Sequence, residues 1–187
     1  MSARPEAEKR ERLFIGVPLT EAARRAIERS LPRNLPGKLV PPENWHFTLR
    51  FLGSTTEEAR DQIVQLLKFA ACGDAFSVRF NELGAFPRAS RARILWLGID
   101  QGAERMSQLA AIVEAAARSV GFAAESREFT PHLTLSRIDP PSSVKTLVDS
   151  KPRLGTRMPV GSLILYRSHL GGGPARYEEV VRIELGR

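Results

Sequence analysis

The sequence predicts an α+β protein. Two mainly antiparallel sheets, related by a pseudo-two-fold axis, face each other across a cleft and carry helices on their outer faces. Three observations lead there. Strand-like and helix-like segments alternate irregularly, with hairpin turns in place of repeated crossovers. The tetrapeptides His46-Phe47-Thr48-Leu49 and His132-Leu133-Thr134-Leu135 repeat one pattern 86 residues apart, close to half of the 187-residue chain. The composition, 42% hydrophobic and 26% charged, is that of a globular chain with enough residues for one substantial core or two small lobes.

Residues 1–11 are polar and charged and read as a disordered tail, leaving 12–187 as a single bilobal domain. Residues 13–17 form an apolar run between Arg12 and Pro18, the mark of a buried strand. Thr20 caps a helix with Ala23, Ile27 and Leu31 on one face, and Pro32, Pro36 and Gly37 end it. Residues 45–52 form the first His strand, stopping at Gly53. Thr55 and Glu58 have capping-box spacing for a helix to about residue 71, with Ile63, Leu66, Leu67 and Ala70 as its buried stripe. Phe76, Val78 and Phe80 alternate as a half-buried strand, and an arginine-rich turn with Arg88, Arg91 and Arg93 leads to a strand over 94–99. Met106, Leu109, Ile112, Val113, Ala116 and Val120 line one face of a helix over 103–120, closed by Gly121. The second His strand covers 132–136, a short helix 142–150, and two strands 160–168 and 177–185 around a turn with Gly171, Gly172, Gly173 and Pro174.

Several function classes fall away. No apolar run approaches the roughly 20 residues that span a bilayer, and the N-terminus has no apolar signal core, so a cytoplasmic protein is expected. One cysteine, Cys72, allows neither an internal disulfide nor a multi-cysteine metal site. The glycine run lacks the Lys-Ser/Thr of a phosphate loop, and no G-x-S-x-G elbow is present. A net charge of +7, carried mostly by arginine, favours an acidic partner, nucleic acid above all.

The repeated tetrapeptide carries the chemistry. Residues i and i+2 of a strand share a face, so each copy presents one imidazole beside one hydroxyl. With 8 threonines and 3 histidines in the chain, chance would place Thr at i+2 of two histidines on the order of 0.5% of the time. Two imidazoles across a cleft suit a phosphoester reaction: a neutral ring takes a proton and a charged one gives it. The hydroxyls of Thr48 and Thr134 can hold the phosphate oxygens on which charge accumulates. Two histidines without a carboxylate or cysteine cluster make a poor zinc site. Arg50 and Ser136, four residues after each His, fall on the catalytic face under strict alternation; Arg50 either adds positive potential there or forms a surface ion pair. Trp45 reads as core or cleft wall, and His169 as a surface residue.

The motifs resemble those of the 2H phosphoesterase superfamily, and within it the bacterial and archaeal RNA 2′,3′-cyclic phosphodiesterases, also called 2′-5′ RNA ligases. The residues carrying the likeness are Arg12-Leu13-Phe14-Ile15-Gly16, the run from Val40 to Gly53, Phe86-Pro87 with Leu95-Trp96, the run from Phe129 to Arg137, and Tyr177. The resemblance implies a bilobal fold with both His strands lining an active-site cleft. It implies His46 as the general acid on the departing ribose O3′ and His132 as the general base on water. Thr48, Thr134 and Arg137 then hold the phosphate, and Phe51 stacks on the nucleobase. An offset of five puts Phe51 and Arg137 on the wrong strand face unless they lie at the strand end or follow a bulge. The implied substrate is RNA with a 2′,3′-cyclic phosphate end and the product a 2′-phosphomonoester, with no metal and no cofactor, by a monomer. Ligation to a 2′-5′ bond, the same reaction reversed, and a non-catalytic RNA-end-binding module are the alternatives.

Overall fold

The computed structural model describes residues 9–70, 72–150, 154–171 and 175–186. Strand β1 (Arg10–Pro18) begins before the apolar run that marks it. Residues 10 and 11, expected in the tail, therefore belong to the sheet. The Glu11 carboxylate is largely buried between Arg60 (3.3 Å) and Arg167 (2.6 Å), an ion pairing that apolar patterning does not reveal. Helix α1 (Glu21–Ser30) is capped as expected: the Thr20 hydroxyl accepts from the Ala23 N–H at 3.2 Å, and Ala23 and Ile27 are buried.

A two-residue strand β2 (Lys38–Leu39) and a 3-10 turn (Pro42–Asn44) lead into β3 (His46–Thr56). Gly53 does not stop β3; it sits within the strand at φ +69°, a conformation glycine adopts freely. The cap of helix α2 (Glu57–Phe69) accordingly falls one residue later than the capping-box spacing suggests. Thr56 accepts from the Ala59 N–H, while the Thr55 hydroxyl donates to the Gly53 carbonyl. Ile63, Val64 and Leu67 form the buried stripe, and Leu66 turns outward.

The chain continues through β4 (Phe76–Phe86), β5 (Ala92–Gln101), α3 (Ala103–Ser119), β6 (His132–Ser142), α4 (Lys145–Asp149), β7 (Arg157–Val160), β8 (Ser162–His169) and β9 (Arg176–Glu184). The single strand expected over 160–168 is broken at Gly161, and its two parts serve opposite halves of the sheet: β7 pairs with β4, β8 with β1. β8 and β9 form the expected hairpin, whose turn residues 172–174 lie outside the described residues. Among the described residues no helix is long and apolar enough to cross a membrane.

The strands form one antiparallel path, β7-β4-β5-β6-β3-β1-β8-β9, with β2 on β6. The two sheets expected from the sequence are thus two four-stranded halves of one curled sheet. A single residue pair among those described, Phe47 with Leu133, joins them. Both side chains are fully buried, and the Phe47 ring stacks on Phe80 at 5.4 Å. Beneath them, α3 contributes Met106, Leu109 and Val113 to the core.

Candidate active site

The pair that joins the halves also organises the site. Phe47 and Leu133 are the middle residues of the two His-x-Thr motifs. Their side chains point into the core, so by alternation His46, Thr48, His132 and Thr134 point the other way, into the cleft. Extending the antiparallel register by one residue in each direction sets His46 across from Thr134 and Thr48 across from His132. The pseudo-two-fold axis therefore passes through this pair, with one His-x-Thr motif on either side of it. Gly16 lets β1 run close beneath, since a Cβ there would lie 2.6 Å from the Phe47 carbonyl oxygen and 3.4 Å from the His46 ring.

Both imidazoles are held in the same way. Nδ1 of His46 donates to the Asn44 carbonyl at 2.8 Å, and Nδ1 of His132 donates to the Thr130 carbonyl at 2.7 Å. A carbonyl can only accept, so each ring keeps its proton on Nδ1 and turns Nε2 to the cleft. The Asn44 side chain donates to the Ala175 carbonyl at 2.8 Å, fastening the turn that carries the first carbonyl. Nε2 of His46 is 3.1 Å from the Thr48 hydroxyl.

Burial, and to a smaller degree the charge of His132 and of Arg137, lowers the His46 pKa to about 4. His132 is shifted in the same direction, again chiefly by burial and then by Arg137. Desolvation disfavours the charged ring in both cases.

Each ring also stands against aromatic walls. Around His46 are Phe14 (4.7 Å between centroids), Tyr177 (5.1 Å, edge-on) and Tyr166 (5.8 Å). Beside His132 are Phe86 (5.0 Å, edge-on) and Trp96 (6.1 Å). Trp96 lies over the sheet, where a Cβ at Gly84 would fall 2.1 Å from its ring. The role of Phe14, Tyr166, Phe86 and Trp96 as ring walls has no local sequence signal, because strand register alone brings them to the histidines.

A bulge places the two residues at offset five. Opposite β1, Thr48 pairs with Gly16 and Arg50 with Ile15, leaving Leu49 extra. Opposite β5, Thr134 pairs with Trp96 and Ser136 with Leu95, leaving Leu135 extra. The inserted leucine, at the same place in both motifs, resets the alternation, so that Phe51 and Arg137 return to the histidine face. Phe51 is 59% exposed and its ring is 5.8 Å from Phe14, which packs on His46.

The same bulges move the residues at offset four. Ser136 is fully buried. Arg50 is held by Glu114 of α3 at 2.7 Å and by Glu125 at 3.1 Å, and donates to the Ala123 carbonyl, so it is a structural ion pair. Trp45 is core, its indole N–H donating to the Val40 carbonyl at 3.0 Å. His169 pairs with Glu178 at 2.8 Å on the hairpin. Among the described residues no three His, Cys, Asp or Glu side chains gather as a metal cluster.

An antiparallel sheet in two related halves, with a His-x-Thr strand at the inner edge of each, defines a class of protein that sets two imidazoles and two hydroxyls around one volume. The chain belongs to the 2′-5′ RNA ligase superfamily, whose family model matches residues 18–172. It is 36% identical to an RNA 2′,3′-cyclic phosphodiesterase of Aeropyrum pernix over 129 residues, covering 69% of this chain and 72% of that one. It is 27% identical to the protein of the same name from Escherichia coli over 175 residues, covering 92% and 95%. Among solved structures, that of E. coli LigT complexed with 3′-AMP superposes with a TM-score of 0.78 at 26% identity, covering 96% of this chain and all of that one.

Proposed function

We propose that the protein opens RNA 2′,3′-cyclic phosphate ends to 2′-phosphomonoesters, using two histidines as acid and base and no metal ion. The observation that carries this reading is the Phe47–Leu133 pairing, which brings the two His-x-Thr motifs side by side. The names of the relatives supply the substrate class.

His132 Nε2 takes a proton from water as the water oxygen bonds to phosphorus. The P–O3′ bond breaks on the opposite side, and O3′ receives the proton carried by His46 Nε2. The 2′-ester bond stays intact, giving a 2′-phosphate and a free 3′-hydroxyl. The hydroxyls of Thr48 and Thr134 and the guanidinium of Arg137 hold the non-bridging oxygens, and Phe51 stacks on the terminal base. In the free protein His46 is neutral at neutral pH. The bound phosphate anion offsets the charge of Arg137 and favours the imidazolium, so the catalytic proton enters with the substrate. Thr48, which donates to Nε2 of the neutral ring, then turns its hydroxyl to a non-bridging phosphate oxygen and leaves the Nε2 proton free for O3′.

The test is the product formed from an RNA bearing a 2′,3′-cyclic end. The expected product is the 2′-phosphate, and His46→Ala and His132→Ala each lower turnover by about a hundredfold or more while folding is retained. A 3′-phosphate product, or near wild-type turnover by either variant, refutes the scheme. Net joining of RNA halves would instead favour ligation.

A further inference from the structure

We propose that a concavity lined by Pro87, Arg88, Arg91 and Arg93 holds the phosphate backbone of the RNA leading to the reacting end. It rests on the reading of the cleft as a site for RNA ends, and adds a second contact region outside it. The concavity is open and encloses about 400 Å³.

Its position follows from the ladder. Phe86, whose ring stands edge-on to His132 at 5.0 Å, is the last residue of β4, and Pro87 and Arg88 follow it directly. Along β5, Trp96 lies opposite Thr134, Ile94 opposite Arg137 and Ala92 opposite Ser142. The strand thus runs from the phosphate-holding residues towards Arg93 and the 3-10 turn of Ala89–Arg91. Three residues of extended chain separate Trp96 from Arg93, about 10 Å. That is a span of one or two nucleotides beyond the terminal phosphate.

The charge there is not neutralised. Arg24, Arg60, Arg79, Arg167 and Arg182 each lie within 2.9 Å of a carboxylate. Among the described residues Arg88 and Arg91 have no ion pair. Arg93 reaches only Asp139, at 3.9 Å with both side chains exposed, a geometry worth little. No acidic side chain lines the concavity.

The backbone beneath is fixed. The Arg91 N–H donates to the Arg88 carbonyl at 3.0 Å, the Val144 N–H to the Ala89 carbonyl at 2.8 Å, and Ala92 is fully buried. Three guanidinium forks on a fixed turn, around an open volume without carboxylates, suit successive phosphates of a single strand.

The test uses the variant R88A/R91A/R93A and two substrates: a 2′,3′-cyclic mononucleotide, too short to reach the concavity, and a single-stranded oligoribonucleotide with a 2′,3′-cyclic end. KM for the oligonucleotide is expected to rise about tenfold, and the slope of log affinity against log salt to shrink by about 2. The mononucleotide should be turned over as by wild type. A control, R25A/R29A/R118A, removes the same charge from exposed positions on α1 and α3 and should leave both substrates unaffected. Equal loss in the control, equal loss on both substrates, or no loss on the oligonucleotide overturns the proposal. Fluorescence anisotropy with a labelled oligoribonucleotide carrying a 2′-phosphate end reads the same contacts without turnover. If wild type hydrolyses neither substrate, the functional reading fails, while anisotropy still decides whether the arginines hold RNA.

Discussion

Replacing His46 with phenylalanine should make the fold less sensitive to acid. The ring lies among Phe14, Tyr166 and Tyr177, so a phenyl group fits its surroundings. In the folded protein the His46 pKa is lowered from 6.5 to about 4. The unfolded chain therefore binds the proton first as pH falls. The stability tied to the neutral ring is complete above the unfolded pKa and is lost across the window from 6.5 down to about 4. Integrated to about pH 4.5, the loss is about 2.5 kcal/mol, at roughly 1.36 kcal/mol for each unit between the two pKa values. His132 shifts in the same direction but is present in both proteins, so its contribution cancels in the difference. The variant also loses the bond to the Asn44 carbonyl, which lowers its stability by a constant amount and leaves the slope alone. Urea unfolding at a series of pH values measures both curves. The wild type should lose about 2.5 kcal/mol more than the variant between about pH 7 and about pH 4.5. Parallel curves would refute the assignment of a buried, neutral His46.

Three further outcomes are expected. The alkaline limb of kcat/KM, which reports the free protein, should lie below the ordinary histidine range because both imidazoles are shifted down; that of kcat should lie at higher pH, since bound phosphate raises them. Coincident limbs in steady-state pH profiles would contradict this. Phe51→Ala should leave the urea midpoint unchanged, because the side chain is 59% exposed, and raise KM for a base-bearing cyclic phosphate by roughly tenfold, the effect of about 1–3 kcal/mol of stacking. Phe47→Ala should cost about 3–5 kcal/mol by urea unfolding, as for other fully buried phenylalanines, because it leaves a cavity beside Phe80 at the seam between the two halves of the sheet.

Much of the fold is legible in the sequence because its signals are local. The apolar stripe of α3 and the Thr20 cap depend on neighbours three or four residues away. Once the family resemblance brings Phe51 and Arg137 to the histidine face, parity requires either a strand end or a bulge before them, and the structure has a bulge at Leu49 and at Leu135. What is not legible depends on residues distant in the chain. Glu11 enters the sheet because Arg60 and Arg167 surround it, and neither is near it in sequence. Arg50 could have served the cleft or an ion pair, and Glu114 on α3 decides. Gly53 stays inside β3 because the pairing to β1 continues past it, so a residue that ends many strands does not end this one. The carbonyls that orient both imidazoles are backbone groups, invisible to any reading of side-chain type.

His46 and His132 stand on opposite sides of a joint that, among the described residues, is one residue pair wide. A phosphate held as proposed above would touch both sides at once, through Thr48 and His46 on one and Thr134 and His132 on the other. Under that proposal the substrate is a fastener as well as a reactant, spanning the seam where the sheet pairing is narrowest.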